Sequence, residues 1–321
     1  MILVLGGAGY IGSHTVKHLI ENDYDCVIGD NLKMGHQEAI LSEKFENIDL
    51  NDKKSLEKIF EKYDIDSVIH FANYAYVGES VKNPQKYYQN NLIGTLNLLN
   101  VMLDNNIKKI VFSSTCSIYG NPRYTPLDEK HPQNPLNPYG QSKLIIEKIM
   151  NDYYKAYGLK YIALRYFNAS GADKEGLLGE SHDPETHLIP LVLKAIKGEI
   201  DKVTIFGTDY NTPDGTCIRD YVHVEDLALA HRLALEKLDE FCGSINLGTG
   251  TGNSVKEIIK IAEKITNKSC PVIYGDRRQG DAPILIANNI MAKEVLGWKT
   301  KFDKIDDIIQ SAWIWEKNKK F

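Results

Sequence analysis

Cysteine is scarce in this sequence and carries no pattern. Cys26, Cys116, Cys217, Cys242 and Cys270 make an odd five, with no C-x-x-C spacing. That argues against a disulfide framework or a zinc ribbon and fits a reducing compartment. No apolar run approaches the roughly 18 residues of a membrane span, so no membrane partner is expected. Basic charge is not in excess: 38 Lys and Arg stand against 43 Asp and Glu, a net charge of −5. No global field therefore draws in nucleic acid, and an anionic ligand has to be held by local donors. Ile2–Leu5 already reads as a strand, so no secretory leader is expected and the address by elimination is cytoplasmic. Repeats and low-complexity tracts are missing too, and the basic Lys317–Lys320 reads as a solvated terminus.

What is present is apolar and rhythmic. Hydrophobic residues make up 43% of 321 positions, enough for a large buried core. Short unalternating runs stand at Ile2–Leu5, Cys26–Gly29, Ser67–Phe71, Lys109–Ser113 and Tyr161–Leu164. Helix-like segments such as Lys54–Lys62 and Asn91–Leu103 separate them. Strands buried on both faces with helical crossovers predict an α/β class, a doubly wound parallel sheet of Rossmann type. From about Asn168 the rhythm breaks into Gly-, Asp-, Asn- and Pro-rich stretches, Gly171–Thr186 and Thr208–Thr216. The reading is a first domain over residues 1–168 and a smaller C-terminal α/β substrate-binding part over 169–321. Part of about 220–265 is expected to return to the main domain through Ser244–Leu247 and the helical Val255–Ile265.

Gly7-x-Gly9-x-x-Gly12 follows the first strand directly, opens a helix, and is extended upstream by Gly6. Glycines there allow a tight turn, let the backbone approach a pyrophosphate and let helix pack on strand, while the helix N-terminus offers free N–H groups. Asp30 ends the second strand, 18 residues after Gly12, where a carboxylate accepts from a ribose 2′-hydroxyl and repels a 2′-phosphate. The expected cofactor is therefore NAD rather than NADP. Asp49 either accepts from an adenine amino group or simply terminates a strand. Phe71-Ala72-Asn73 ends the third apolar run with small residues that leave room for a cofactor.

Tyr139-x-x-x-Lys143 puts a phenol and an ammonium on one helical face. The charge is expected to lower the phenol pKa from about 10, making a base suited to hydride chemistry on an alcohol. Ser113-Ser114-Thr115 closes the fourth run, and hydroxyls at a strand's C-terminal end face the ligand crevice of such a sheet. Thr115 is thereby placed to bond the substrate hydroxyl that Tyr139 deprotonates. His14 and His18 have i, i+4 spacing but no third ligand, so no metal is expected. His223 and His231 read as packing or surface groups.

Several stretches together resemble the extended short-chain dehydrogenase/reductases, and within them the UDP-glucose 4-epimerase family. They are Gly6–His14 (GGAGYIGSH), Asp30-Asn31-Leu32, Val77–Val81 (VGESV), Tyr87–Thr95 (YYQNNLIGT), Ser113–Gly120 (SSTCSIYG) and Pro138–Lys143 (PYGQSK), then Leu164–Asn168 (LRYFN), Asp214–Leu227 (DGTCIRDYVHVEDL) and Gly280-Asp281. The resemblance implies a UDP-hexose substrate whose C4 is transiently oxidised by tightly held NAD, and a homodimer. It makes Tyr139 the base, Lys143 its electrostatic partner and ribose ligand, and Thr115 the hydroxyl partner. It carries cofactor contact onto Gly6, Gly9, Tyr10, Ile11, Gly12, Asp30, Asn31, Asp49, Leu50, Phe71, Ala72, Asn90 and Tyr166. It carries substrate contact onto Asn168, His187, Leu188, Phe206, Arg219, Arg278 and Asp281. An arginine pair suits a diphosphate, which favours bidentate guanidinium donors.

The chain departs from the resemblance in two places. Some relatives carry a lysine near the nicotinamide where Ala75 and Tyr76 stand here. Leu285 occupies the position that gates room for an N-acetyl group, which leaves UDP-N-acetylhexosamines open as substrates. Cys116 and Ser117 after Thr115 cannot supply the carboxylate relay of a 4,6-dehydratase or of a uronic acid decarboxylase. A Cys116 thiolate acting as base at another carbon is the sharper rival, against a reading of Cys116 as small buried packing. A non-catalytic NAD sensor is disfavoured by the intact Tyr/Lys pair.

Overall fold

The computed structural model describes residues 1–278 and 281–321. The chain begins β1 (Ile2–Leu5), α1 (Tyr10–Ile20), β2 (Cys26–Asp30), β3 (Phe45–Asn47), α2 (Lys53–Lys62) and β4 (Ser67–His70). Two short helices, α3 (Val77–Lys82) and α4 (Pro84–Tyr87), lead through a π-helical stretch at Tyr88–Ile93 into α5 (Gly94–Asp104). Then come β5 (Lys109–Thr115), α6 (Pro138–Tyr157) and β6 (Lys160–Tyr166). Shorter strands follow: β7 (Asn168–Ser170), then α7 (Leu188–Lys197), β8 (Val203–Phe206), β9 (Ile218–Arg219) and β10 (Tyr221–His223). The last stretch holds α8 (Val224–Lys237), β11 (Gly243–Leu247), β12 (Asn253–Ser254), α9 (Val255–Thr266), β13 (Val272–Gly275), β14 (Ile284–Leu285), α10 (Ile290–Leu296) and α11 (Ile305–Asn318).

Seven strands form one parallel sheet in the order β11-β6-β5-β4-β1-β2-β3. Side chains alternate across it and build two apolar layers. Ile2, Val4, Ile28, Ile69, Val111, Ile162 and Ile245 face one way, against Val16 and Leu19 of α1 and Leu227, Ala230 and Ala234 of α8. Leu3, Leu5, Val27, Val68, Ile110 and Phe112 face the other, against Leu56 and Ile59 of α2, Leu98 and Met102 of α5, and Ile146 and Met150 of α6. Each such side chain contributes about 1.5–3 kcal/mol by leaving water, which explains why the central strands read as short apolar runs. β3, short and half-exposed at the sheet edge, has no such run to betray it.

Ser244–Leu247 lies in β11, which pairs with β6 in register Leu247 to Tyr166. The helix after it, α9, instead packs with α7 and α11 around a separate apolar cluster of Ile189, Leu193, Ile205, Ile258 and Ile309. Gly171–Thr186 and Thr208–Thr216 contain no helix or strand. Switching from β1 to the strands on either side, the sheet opens a crevice at the carboxyl ends of β1, β4 and β5, where ligands of such sheets bind.

Candidate active site

At the end of β1 the backbone turns through Gly6 at φ +77°. A Cβ on Gly6 would stand 2.7 Å from Ala72 N, and one on Gly12 would stand 2.1 Å from Gly6 O. Both positions therefore demand glycine. Gly9 sits in extended conformation as the N-cap of α1, and no side chain caps that helix, so its first amides stay available to an anion. Tyr10 donates its hydroxyl to Gly171 O at 2.6 Å, and Ile11 packs on the first apolar layer. The turn is a cradle that fits a dinucleotide pyrophosphate.

Asp30, buried at the end of β2, accepts from Ala8 N at 3.0 Å and Leu32 N at 2.9 Å. Burial pushes its carboxyl up against those two donors. Asn31 donates to Asp49 Oδ2 at 3.1 Å, and Lys33, which the sequence reading passed over, reaches the same oxygen at 2.8 Å. Burial opposes the effect, yet the donors from Lys33, Asn51 and Asn31 hold Asp49 down to about 2. Leu50 is buried beside Gly94. The ring of Phe71 lies tilted 4.5 Å from that of His231, and Ala72 lines the Gly6 turn. Asn90 lies in the π-helical stretch and donates to Asn91 Oδ1 at 3.1 Å. Tyr166, at the end of β6, is hydrogen-bonded through its hydroxyl to Ser113 Oγ.

The start of α6 has a local cause. Asn137 caps it by accepting from Gly140 N at 2.9 Å, and Pro138 occupies the first turn. Tyr139 is thereby buried one residue inside the helix, within hydrogen-bonding reach of Thr115 at the end of β5. Thr115 Oγ1 also accepts from Ser117 N at 3.1 Å, capping the turn that follows. Lys143 Nζ donates to Asn73 Oδ1 at 2.9 Å and to Ser113 O at 2.6 Å, and lies 5.9 Å from the Tyr139 ring centre.

Here the structure corrects the expected electrostatics. The phenol is not lowered: burial pushes Tyr139 up to about 12, against the Thr115 hydrogen bond. Burial also pulls Lys143 down to about 7, against attraction by Glu147. Both groups sit in a dry crevice that penalises either charge, and the lysine spends its protons on neutral acceptors rather than on the phenol. Burial likewise pushes the Cys116 thiol up to about 12, which leaves it protonated and a poor base.

One helical turn past Lys143, Glu147 forms a buried ion pair with Arg165 of β6, Nη2 to Oε2 at 2.5 Å. Ser114 of β5 and Ser244 of β11 also donate to this carboxylate, at 2.5 and 2.9 Å. Arg165 Nη1 reaches Tyr119 Oη at 3.0 Å, and Tyr119 donates to Asn246 Oδ1 at 2.6 Å. The network ties α6 to three strands and positions its N-terminal face.

The expected substrate residues gather around the short strands. Asn168 of β7 donates to Asp220 O at 2.9 Å. Arg219 of β9 donates to Ile218 O and Ala282 O at 2.9 and 2.8 Å and pairs with Asp281 at 3.4 Å. Leu285 of β14 stands in register with Arg219. Arg278 lies 4.1 Å over the ring of Phe206. Leu188 opens α7 and His187 is its N-cap. Gly280 lies outside the described residues.

His14 and His18 do not converge. His14 Nδ1 bonds Tyr10 O at 2.8 Å, whereas His18 Nε2 accepts from Arg232 at 3.2 Å. His223 stacks on Phe302 and His231 bonds Leu227 O, both buried. Sequence reasoning missed a tighter cluster, Glu180, His182, Glu185 and His187. Its E-x-H-x-x-E-x-H spacing was visible inside a stretch read only as loop. Burial pulls both imidazoles down, yet the two carboxylates outweigh it and hold His182 up to about 9 and His187 up to about 10. Asn73, the acceptor that fixes Lys143, was noted only as a strand end.

No helix among the described residues is long and apolar enough to cross a membrane. The UDP-glucose 4-epimerase of Halalkalibacterium halodurans is 50% identical over 318 residues, covering 98% of this chain and 95% of that one. The crystal structure of UDP-glucose 4-epimerase from Brucella ovis in complex with NAD superimposes with a TM-score of 0.95 at 51% identity, covering 97% of each chain. The Bifidobacterium longum enzyme, solved with NAD+ and UDP, gives a TM-score of 0.95 at 41% identity over 99% of this chain and 98% of that one. The model of the NAD dependent epimerase/dehydratase family matches residues 2–248, and with near full-length likeness to these enzymes the chain belongs to that family.

Proposed function

We propose that the chain interconverts UDP-galactose and UDP-glucose by transient oxidation at the sugar C4, as a cytoplasmic homodimer serving galactose metabolism. One observation carries the reading: the Tyr139 phenol is buried at the carboxyl ends of the sheet strands, in reach of Thr115 and one helical turn from Lys143. Residues 1–168 hold the cofactor and 169–321 the nucleotide sugar, with β11 returning to the main sheet.

The cradle made by Gly6, Gly9, Gly12 and the uncapped start of α1 suits NAD; Asp30 and Asn31 would accept from its adenosine ribose, and Asp49 and Leu50 would meet its adenine. When bound, NAD supplies a reversible hydride acceptor and a positive ring beside the phenol. That positive ring, with the Lys143 ammonium, would offset the burial that raises the Tyr139 phenol, so that Tyr139 takes the proton of the sugar 4-hydroxyl and later returns it. Thr115 holds the same oxygen and keeps it aimed. Lys143, fixed by Asn73 and Ser113, would hold the nicotinamide ribose and, in its protonated form, would add positive charge near the phenol. Arg219, braced by Asp281 and two carbonyls, and Arg278 grip the diphosphate, and the hexose is left free to turn and present its opposite face. Asn168, His187, Leu188 and Phe206 line the nucleotide side.

Because no net redox occurs, cofactor is retained between turnovers. Purified protein given UDP-galactose without added NAD is expected to form UDP-glucose in a coupled assay; absence of product with NAD demonstrably bound overturns the reading. UDP-N-acetylhexosamines are a second substrate class, since Leu285 is half-buried directly across from Arg219 and is of intermediate size. Light scattering on a sizing column checks the dimer.

A further inference from the structure

Between β7 and α7 the chain folds four ligand-bearing side chains onto one another. Glu180, His182, Glu185 and His187 each present one ligand atom, and these atoms lie within 4.8 Å of one another. His187 Nδ1 is 2.7 Å from Glu180 Oε1 and 3.0 Å from Glu185 Oε1. His182 Nδ1 is 3.2 Å from Glu180 Oε1 and 3.7 Å from Glu185 Oε2. A tetrahedron with metal–ligand bonds of about 2.0–2.1 Å has edges of about 3.4 Å. All but one of these separations are shorter than that value, so the side chains would spread slightly around an ion, with Glu185 offering one of its two oxygens.

A second observation concerns satisfaction rather than distance. His182 Nδ1 and Glu185 Oε2 are both shut away from solvent and make no hydrogen bond. The Glu185 side chain is 3% exposed and that of Glu180 6%. The two atoms lie in ion-pair range, His182 Nδ1 also near Glu180 Oε1, but without a well-formed hydrogen bond their burial costs free energy that a shared ligand removes. The Tyr76 hydroxyl beside them is also buried without a partner, its ring edge-on to His182 at 5.9 Å. Two carboxylates carry a charge that one divalent cation neutralises while leaving both imidazoles neutral, and this nitrogen and oxygen set suits zinc among first-row metals.

The geometry points to a structural divalent-metal site of zinc type formed by Glu180, His182, Glu185 and His187. All four positions are filled by protein, so no place is left for a reacting water. The ion braces the segment that feeds α7 against the glycine turn, because the Tyr10 ring meets His182 edge-on at 6.2 Å while its hydroxyl holds Gly171. His187 spends Nδ1 on the ion, and its half-exposed ring keeps Nε2 for the nucleotide side. The site stands independently of the epimerase reading, since its readout is metal content rather than turnover.

The test is metal uptake by the full chain with its cofactor retained. Protein treated with a chelator and dialysed is titrated with Zn2+ and bound metal is measured by mass spectrometry, with Co2+ as an optical probe of four-coordination. The expected result is one ion per chain and a four-coordinate Co2+ spectrum. Glu185→Gln and His182→Gln are expected to weaken uptake by about 10-fold or more, whereas His18→Gln, outside the cluster, keeps it. Uptake well below one ion by the wild type, or uptake unchanged in the Glu185→Gln and His182→Gln proteins, overturns the proposal. The wild-type titration decides by itself should a variant not fold.

Discussion

Arg165→Met isolates the buried network behind α6. The substitution keeps apolar volume in β6 but leaves the Glu147 carboxylate, with its side chain 5% exposed, facing only the hydroxyls of Ser114 and Ser244. Removing one partner of a buried ion pair costs about 3–5 kcal/mol. Unfolding entropy near 2.1 cal/mol/K per residue gives a chain of this length about 0.7 kcal/mol per degree, so Tm is expected to fall by about 4–7 °C. Adding Glu147→Gln makes the site neutral while preserving hydrogen bonds to both serines. The double variant is therefore expected to recover to within about 2 kcal/mol of the wild type, giving a large favourable coupling in the cycle. Differential scanning calorimetry of the four proteins reads this directly. A Tm loss of about 1 °C or less for Arg165→Met, or a double variant that loses the sum of both singles, would refute the claim that this carboxylate is held by charge in a dry interior.

Other expectations follow from the crevice. Lys143 has a folded pKa of about 7 against about 10.4 unfolded, so the unfolded chain binds more protons between those values and stability rises with pH across that window. Denaturant unfolding of nucleotide-stripped protein from pH 7 to 9 should show this rise, and Lys143→Met should flatten it. Cys116→Ser should change turnover by no more than a few-fold, because burial keeps the thiol protonated; in heavy water, carbon-bound deuterium in the product would expose thiol chemistry instead. Gly12→Ala drives a methyl into Gly6 O at 2.1 Å and should abolish cofactor retention, measured as NAD released on denaturing the purified protein.

Much of this architecture is legible in the sequence because it is local or periodic. The apolar runs at Ile2–Leu5 and Lys109–Ser113 announce strands buried on both faces, and they form β1 and the body of β5. The glycines from Gly6 to Gly12 announce a turn whose geometry tolerates no side chain at two positions. Asn137-Pro138 marks the start of the helix that carries Tyr139 and Lys143.

Only the tertiary structure decides what joins residues far apart in the chain and what dries the crevice. β11 enters the sheet beside β6 across an intervening lobe, and the Glu147–Arg165 pair closes only once α6 lies over β5, β6 and β11. The spacing of Tyr139 and Lys143 puts them on one face, but it does not say that Asn73 and Ser113 take the lysine's protons. Nor does it set the direction of either pKa, because desolvation depends on everything packed around the pair. In the same way, the eight residues from Glu180 to His187 spell out four metal-ligating side chains, yet only the folded loop brings their atoms within 4.8 Å of one another.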